Sequence, residues 1–104
     1  MGELEQLILL AVIRLGDDAY GVRIREMIRE RTGRDVSAGG VYTILARMEE
    51  RDLVVSRVSE STHARGGRRK KFYTPTPEGR RVLQEAYDAL ESLADGVLPR
   101  SAGA

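Results

Sequence analysis

Five of the seven residues from Arg65 to Lys71 are cationic (Arg65, Arg68, Arg69, Lys70 and Lys71), and Gly66-Gly67 stands among them. Guanidinium and ammonium groups at this density on a pliable loop suit the closely spaced phosphates of a nucleic-acid backbone. Between Arg57 and Arg81 the cations are Arg57, these five, Arg80 and Arg81, opposed only by Glu60 and Glu78. Acidic residues gather afterwards, at Glu85, Asp88, Glu91 and Asp95. The formal net charge is only +1, so the sequence describes a polarised molecule with one basic face and one acidic end.

A second group precedes the first. From Val36 to Met48 no acidic residue occurs, and Ser37, Tyr42 and Thr43 supply hydroxyls. Placed on a helix, Val41, Ile44, Leu45 and Met48 fall on one apolar side at i, i+3, i+4 and i+7. The opposite side then shows Gly39, Thr43 and Ala46, with Tyr42 and Arg47 on its flanks. A small, neutral face of this kind can enter the major groove. Bulky side chains would hold it off the base edges, and carboxylates would be repelled by phosphate. Backbone amides at Ala38, Gly39 and Gly40 can meet a phosphate oxygen, Thr43 a thymine methyl, and Arg47 a guanine or a phosphate. Gly39 and Gly40 weaken a helix start by roughly 0.5–1 kcal/mol each relative to alanine, a cost that close approach to a ligand explains.

Other chemistries find no support. Cysteine is absent, which excludes disulfides, thiolate metal sites and cysteine nucleophiles and suits a reducing cytoplasm. His63 is the single histidine and stands in the basic loop, where a catalytic base would lack an orienting shell. No paired carboxylates, phosphate-cradling glycine loop or metal-ligand spacing is present. No catalytic residue, metal or cofactor is therefore expected, and the chain is not read as an enzyme. The apolar run Leu7 to Ile13 is too short to span a bilayer, and no basic segment or cleavage site frames it. The expectation is a cytoplasmic protein with no membrane partner.

The elements that must position these residues can be read in order. At 104 residues one domain with a modest core is expected, and pairing with a second copy would add to it. A first helix covers Glu3 to Leu15 and is apolar on nearly every side. Such a helix needs cover on two sides, so Leu7 and Leu10 are assigned to a subunit interface. Gly16 closes it, and Asp17 and Asp18 begin the next. The second helix runs from Ala19 to Thr32 and stops at Gly33. Its charges, Arg23, Arg25, Glu26, Arg29 and Glu30, are read mostly as a solvated face.

Ser37 caps the third helix, which extends to Arg51. Strands follow at Leu53–Val58 and Arg69–Thr74, joined by a polar loop longer than a tight hairpin turn. Thr76 caps a last helix with Pro77 in its first turn, reaching Asp95. Along it Leu83, Tyr87, Leu90, Ala94 and Val97 step by four, three, four and three, the seam of a helix pair. The fold class is mainly α with a small β-hairpin: a winged helix-turn-helix plus a C-terminal dimerisation helix. Residues 1–75 would form the DNA-binding unit, 76–98 the dimerisation helix packed on it, and 99–104 a frayed tail.

The chain resembles the PadR family of winged-helix transcriptional regulators in its short form. The resemblance rests on four stretches. They are Tyr20-Gly21, Ser37-Ala38-Gly39-Gly40-Val41-Tyr42 with Leu45 and Glu49 to Leu53, Arg65 through Tyr73, and Thr76-Pro77-Glu78-Gly79. The resemblance as a whole covers about Glu3 to Leu93. The resemblance implies a homodimer built from the first and last helices, binding an inverted-repeat operator in double-stranded DNA, usually as a repressor. It places Tyr20, Ser37, Tyr42, Thr43 and the wing cations near DNA. It also implies a small-molecule effector at the dimer interface, where Tyr87 either lines a pocket or simply packs. Asp52 stands at a turn position often filled by glycine, where aspartate can still take a left-handed conformation. The competing reading is a winged-helix protein–protein interaction module, its cations meeting an acidic partner instead of DNA.

Overall fold

The computed structural model describes residues 1–59 and 69–100. Its elements are helix α1 (Glu3–Leu15), a 3-10 turn (Gly16–Asp18), α2 (Gly21–Thr32), α3 (Ala38–Glu50), strands β1 (Val54–Val58) and β2 (Lys71–Pro75), and α4 (Pro77–Ala94). The expected order of helices and hairpin is present.

The apolar character of α1 has its first cause inside the chain. Ile8, Leu9, Ala11 and Val12 are buried, and they meet Ile24 and Ile28 of α2, Val41, Leu45 and Met48 of α3, and Val54 and Tyr73 of the hairpin in one core. Among the described residues no polar or charged side chain is buried. Burying side chains of this size is worth about 1.5–3 kcal/mol each. Leu10 stays 45% exposed, so one side of α1 is uncovered by its own chain.

The start of α2 differs from expectation. Asp17 and Asp18 form the 3-10 turn, and Ala19 and Tyr20 are not helical. Tyr20 bridges Phe72 in antiparallel fashion, and Tyr73 N–H donates to the Ala19 carbonyl at 2.9 Å. The two residues are drawn out of the helix because β2 would otherwise present an unpaired edge. Gly33 takes a left-handed conformation after α2, its N–H donating to Arg29.

Arg25 also departs from the solvated reading. Its Nε donates to the Val36 carbonyl at 2.6 Å, and its guanidinium lies 3.4 Å from Asp35. It therefore staples the turn that aims α3. Ser37 caps α3 as expected, its Oγ accepting from Gly40 N–H at 3.0 Å.

The hairpin pairs Val54 with Pro75, Ser56 with Tyr73 and Val58 with Lys71. The second strand lies further along the chain than expected because Pro75 takes its final position, where a missing amide hydrogen costs little. Asp52, at φ 59°, makes the left-handed turn between α3 and β1. Thr76 ties the far end of the hairpin back to that turn. Its Oγ1 donates to Asp52 O at 2.6 Å and accepts from Gly79 N–H at 2.9 Å, capping α4. Gly79 is buried under the Leu53 carbonyl, which a Cβ would overlap.

Candidate nucleic-acid interface

The two faces of α3 separate cleanly. Val41, Leu45 and Met48 are fully buried, and Ile44 packs half-buried beside them. Ala38, Gly39, Tyr42, Thr43, Ala46 and Arg47 are exposed, as is Ser37 before them. A Cβ at Gly39 would meet nothing within 4 Å, so among the described residues nothing demands a glycine there. Gly40 has a local reason: a Cβ would stand 2.9 Å from the capping Ser37 Oγ.

Tyr42 leans across the start of α2. A Cβ at Gly21 would collide with its hydroxyl and ring, so the Tyr20-Gly21 pair acquires a physical meaning. Gly21 clears the space in which Tyr42 lies, and Tyr20 borders the same region through β2. Gly21 escaped the sequence reading as a functional position, although the dipeptide itself was visible.

Tyr20 belongs to a stack of rings and cations on the hairpin. Its ring meets Phe72 edge-on, with centroids 5.5 Å apart. Lys70 Nζ lies 4.3 Å from the Tyr20 centroid, and the Arg57 guanidinium 4.7 Å from that of Phe72. Lys70 and Arg69 are exposed. Arg65 and Arg68, together with His63, lie outside the described residues, as does the end of the tail from residue 101.

Glu49 makes contacts across to the hairpin that sequence reasoning missed. It accepts from Ser56 Oγ of β1 at 2.5 Å and lies 3.5 Å from Lys71 Nζ of β2. The Ser56 hydrogen bond, assisted by the Lys71 charge, holds its carboxyl below the ordinary value of 4.5. Burial raises the Tyr73 phenol above its ordinary value, and the Glu49 charge adds to this. The visible signals at Glu49 were its place as the first acidic residue of α3 and at the head of the Glu49 to Leu53 stretch.

The residues assigned to subunit contact divide. Leu83 is buried in the chain's own core. Leu7 and Ala94 are half-buried, while Leu10, Tyr87 (54%) and Leu90 (59%) are largely exposed. Leu93 and Leu98 are exposed too and extend the same apolar patch. Tyr87, Leu90, Ala94 and Leu98 line an open groove along the end of α4. Hydrogen bonding to Glu91 raises the Tyr87 phenol above its ordinary value. No group of three or more metal-ligating side chains is assembled among the described residues, and none of their helices is long and apolar enough to cross a membrane.

Residues 9–85 match the sequence model of the transcriptional regulator PadR-like family. The chain belongs to that family. PadR-like proteins regulate transcription and are not enzymes. Among solved structures the chain is similar to a PadR family transcription regulator from hypervirulent Clostridium difficile R20291. The TM-score is 0.73 at 28% identity, covering 94% of this chain and 100% of that one. A PadR family regulator from Eggerthella lenta gives 0.71 at 30% identity, over 91% of this chain and 82% of that one. The Bacillus subtilis PadR, solved in complex with operator DNA, shares the fold at 21% identity and TM-score 0.68, over 84% of this chain and 48% of that one. A search of curated proteins found no match. The PadR-like match begins within α1 and ends within α4, so it contains α2, α3 and both strands and leaves out the exposed end of α4.

Proposed function

We propose that this chain is a dimeric, sequence-specific DNA-binding regulator that represses transcription from an inverted-repeat operator. The observation that carries the reading is the outward face of α3. Gly39, Thr43 and Ala46 are exposed and acid-free, and the loop end of the hairpin that follows α3 presents Arg69 and Lys70. Each protomer would place α3 in one major groove with half-sites about one helical turn apart, and set the hairpin cations on flanking phosphates. That the B. subtilis PadR was solved in complex with operator DNA supports DNA binding.

Dimerisation would use the uncovered sides of α1 and α4, through Leu7, Leu10, Tyr87, Leu90 and Ala94. Leu83 anchors α4 to its own protomer at the inner end of that seam. Residues 1–75 act as the DNA-binding unit and 76–98 as the dimerisation helix. Tyr87 in the α4 groove is the residue against which a small-molecule effector would pack. The cytoplasm is the compartment in which this function operates.

Selection of bound genomic fragments, followed by a mobility shift on the recovered sequence, tests the reading. An inverted repeat with half-sites about one turn apart is expected. If each protomer neutralises roughly four phosphates, log K falls against log salt with a slope of about −7. Replacing Arg68, Arg69 and Lys70 together with alanine flattens that slope and weakens binding to every sequence. An unchanged slope removes the hairpin from the mechanism, and recovery of no specific DNA removes the function.

A further inference from the structure

Lys70 and Lys71 are neighbours in sequence, but strand alternation sends them to opposite faces of the hairpin, and the two faces treat them differently. On one face Lys70 Nζ sits 4.3 Å from the centroid of Tyr20, which is itself fixed by the edge-on contact with Phe72 and by the bridge to β2. A cation over a ring keeps its charge and loses much of its rotamer freedom, so less ordering remains to be done when a phosphate arrives. On the other face Lys71 Nζ lies 3.5 Å from a Glu49 carboxylate oxygen and 5.9 Å from the Tyr73 centroid. The second Glu49 oxygen accepts from Ser56 Oγ at 2.5 Å. One carboxylate at the end of α3 therefore holds both strands of the hairpin, and in doing so it neutralises a cation.

We propose that the fold divides the work between the adjacent lysines: Lys70, aimed by the Tyr20 ring, is a phosphate ligand, whereas Lys71, held by Glu49, sets the angle between α3 and the hairpin without touching DNA. Tyr20 and Glu49 are then positioning residues. Tyr20 acts through Lys70, and Glu49 acts through the orientation of the hairpin and by withholding one positive charge. This division rests on the DNA-binding reading above.

The test is a salt titration of binding by the full chain to a fluorescently labelled duplex of random sequence, with melting curves to confirm that each variant folds. Lys70→Ala flattens the slope by about 0.9 for each protomer, the value for one lost phosphate contact. Lys71→Ala keeps the wild-type slope and lowers affinity equally at every salt concentration. Tyr20→Phe, which retains the ring, follows the wild type. Tyr20→Leu moves toward Lys70→Ala, and the double variant is no worse than Lys70→Ala alone. Glu49→Gln keeps an acceptor for Ser56 but frees Lys71, and steepens the slope.

Equal flattening by Lys70→Ala and Lys71→Ala overturns the division. So does a Tyr20→Phe variant as weak as Tyr20→Leu, because the hydroxyl would then be the contact. An unchanged slope in Glu49→Gln removes Glu49 as the group that withholds Lys71. Failure of the wild type to bind any duplex defeats the DNA-binding reading itself, a result separable from all of these.

Discussion

Gly39 and Gly79 are both helical glycines, and their surroundings make opposite demands. Gly79 lies under a backbone carbonyl that cannot move aside. Gly79→Ala is expected to cost roughly 1–3 kcal/mol or more by overpacking, read as a lowered melting temperature. Gly39 faces open space, and alanine is the better helix former by up to about 0.5–1 kcal/mol. Gly39→Ala should therefore raise the melting temperature while weakening operator binding, since the added methyl occupies the gap between backbone and phosphate. A variant that gains stability with no loss of binding would show that the backbone at Gly39 does not approach DNA. Thr43, exposed in the next turn, is the residue to which the proposed mode assigns base preference. A binding-site selection with Thr43→Ala should return an altered motif at similar overall affinity, and an identical motif would remove Thr43 from base readout.

At the scale of elements, what matters is how α3 and the hairpin are held to one another. Glu49 is the link, and its lowered pKa dictates a pH dependence. A carboxyl with a depressed folded pKa contributes stability above its unfolded value, and that contribution is lost as pH falls toward the folded value. The melting temperatures of wild type and Glu49→Gln should thus differ at neutral pH and converge below about 4.5. The difference should be small, because the pair is partly exposed and screened by solvent. A gap that persists at acid pH would mean that the tie is not ionic.

The elements themselves were largely legible from the chain. Ser37 and Thr76 cap the helices they were expected to cap, and the period of Val41, Ile44, Leu45 and Met48 gave α3 its correct inner face. Where the reading failed, a long-range partner decided the outcome. Ala19 and Tyr20 left the helix for the edge of β2, Arg25 turned to the Val36 carbonyl, and Glu49 paired across to Ser56 and Lys71. Each of these depends on a residue brought near only by the completed fold, so no local pattern announces it.

On the scale of the molecule, the shape is elongated, with principal extents of 55 × 27 × 22 Å. The later turns of α4 carry Tyr87, Leu90 and Leu93 in the open. Exposed apolar side chains at this density mark an interaction surface, and the seam period that reveals them was visible in sequence. Leu90→Glu is expected to leave a folded monomer by light scattering, with helical content unchanged. Its melting temperature should no longer rise with protein concentration, as that of a dimer does. A Leu90→Glu protein that remains dimeric would place the subunit contact elsewhere. The same monomer should bind a single half-site and lose the advantage of the paired site.

The slim outward face of α3 is proposed to lie against the duplex. Ala46 is exposed on that face, and glutamate there is a good helix former that touches no core residue. The decisive measurement is the affinity of Ala46→Glu for the selected operator, compared with wild type at one salt concentration and with melting curves in parallel. A carboxylate set against phosphate costs several kcal/mol, so a loss of about 100-fold or more is predicted at unchanged stability. Binding within about threefold of wild type, a difference of about 0.7 kcal/mol, would contradict this placement, because α3 would then present some other surface to DNA or none.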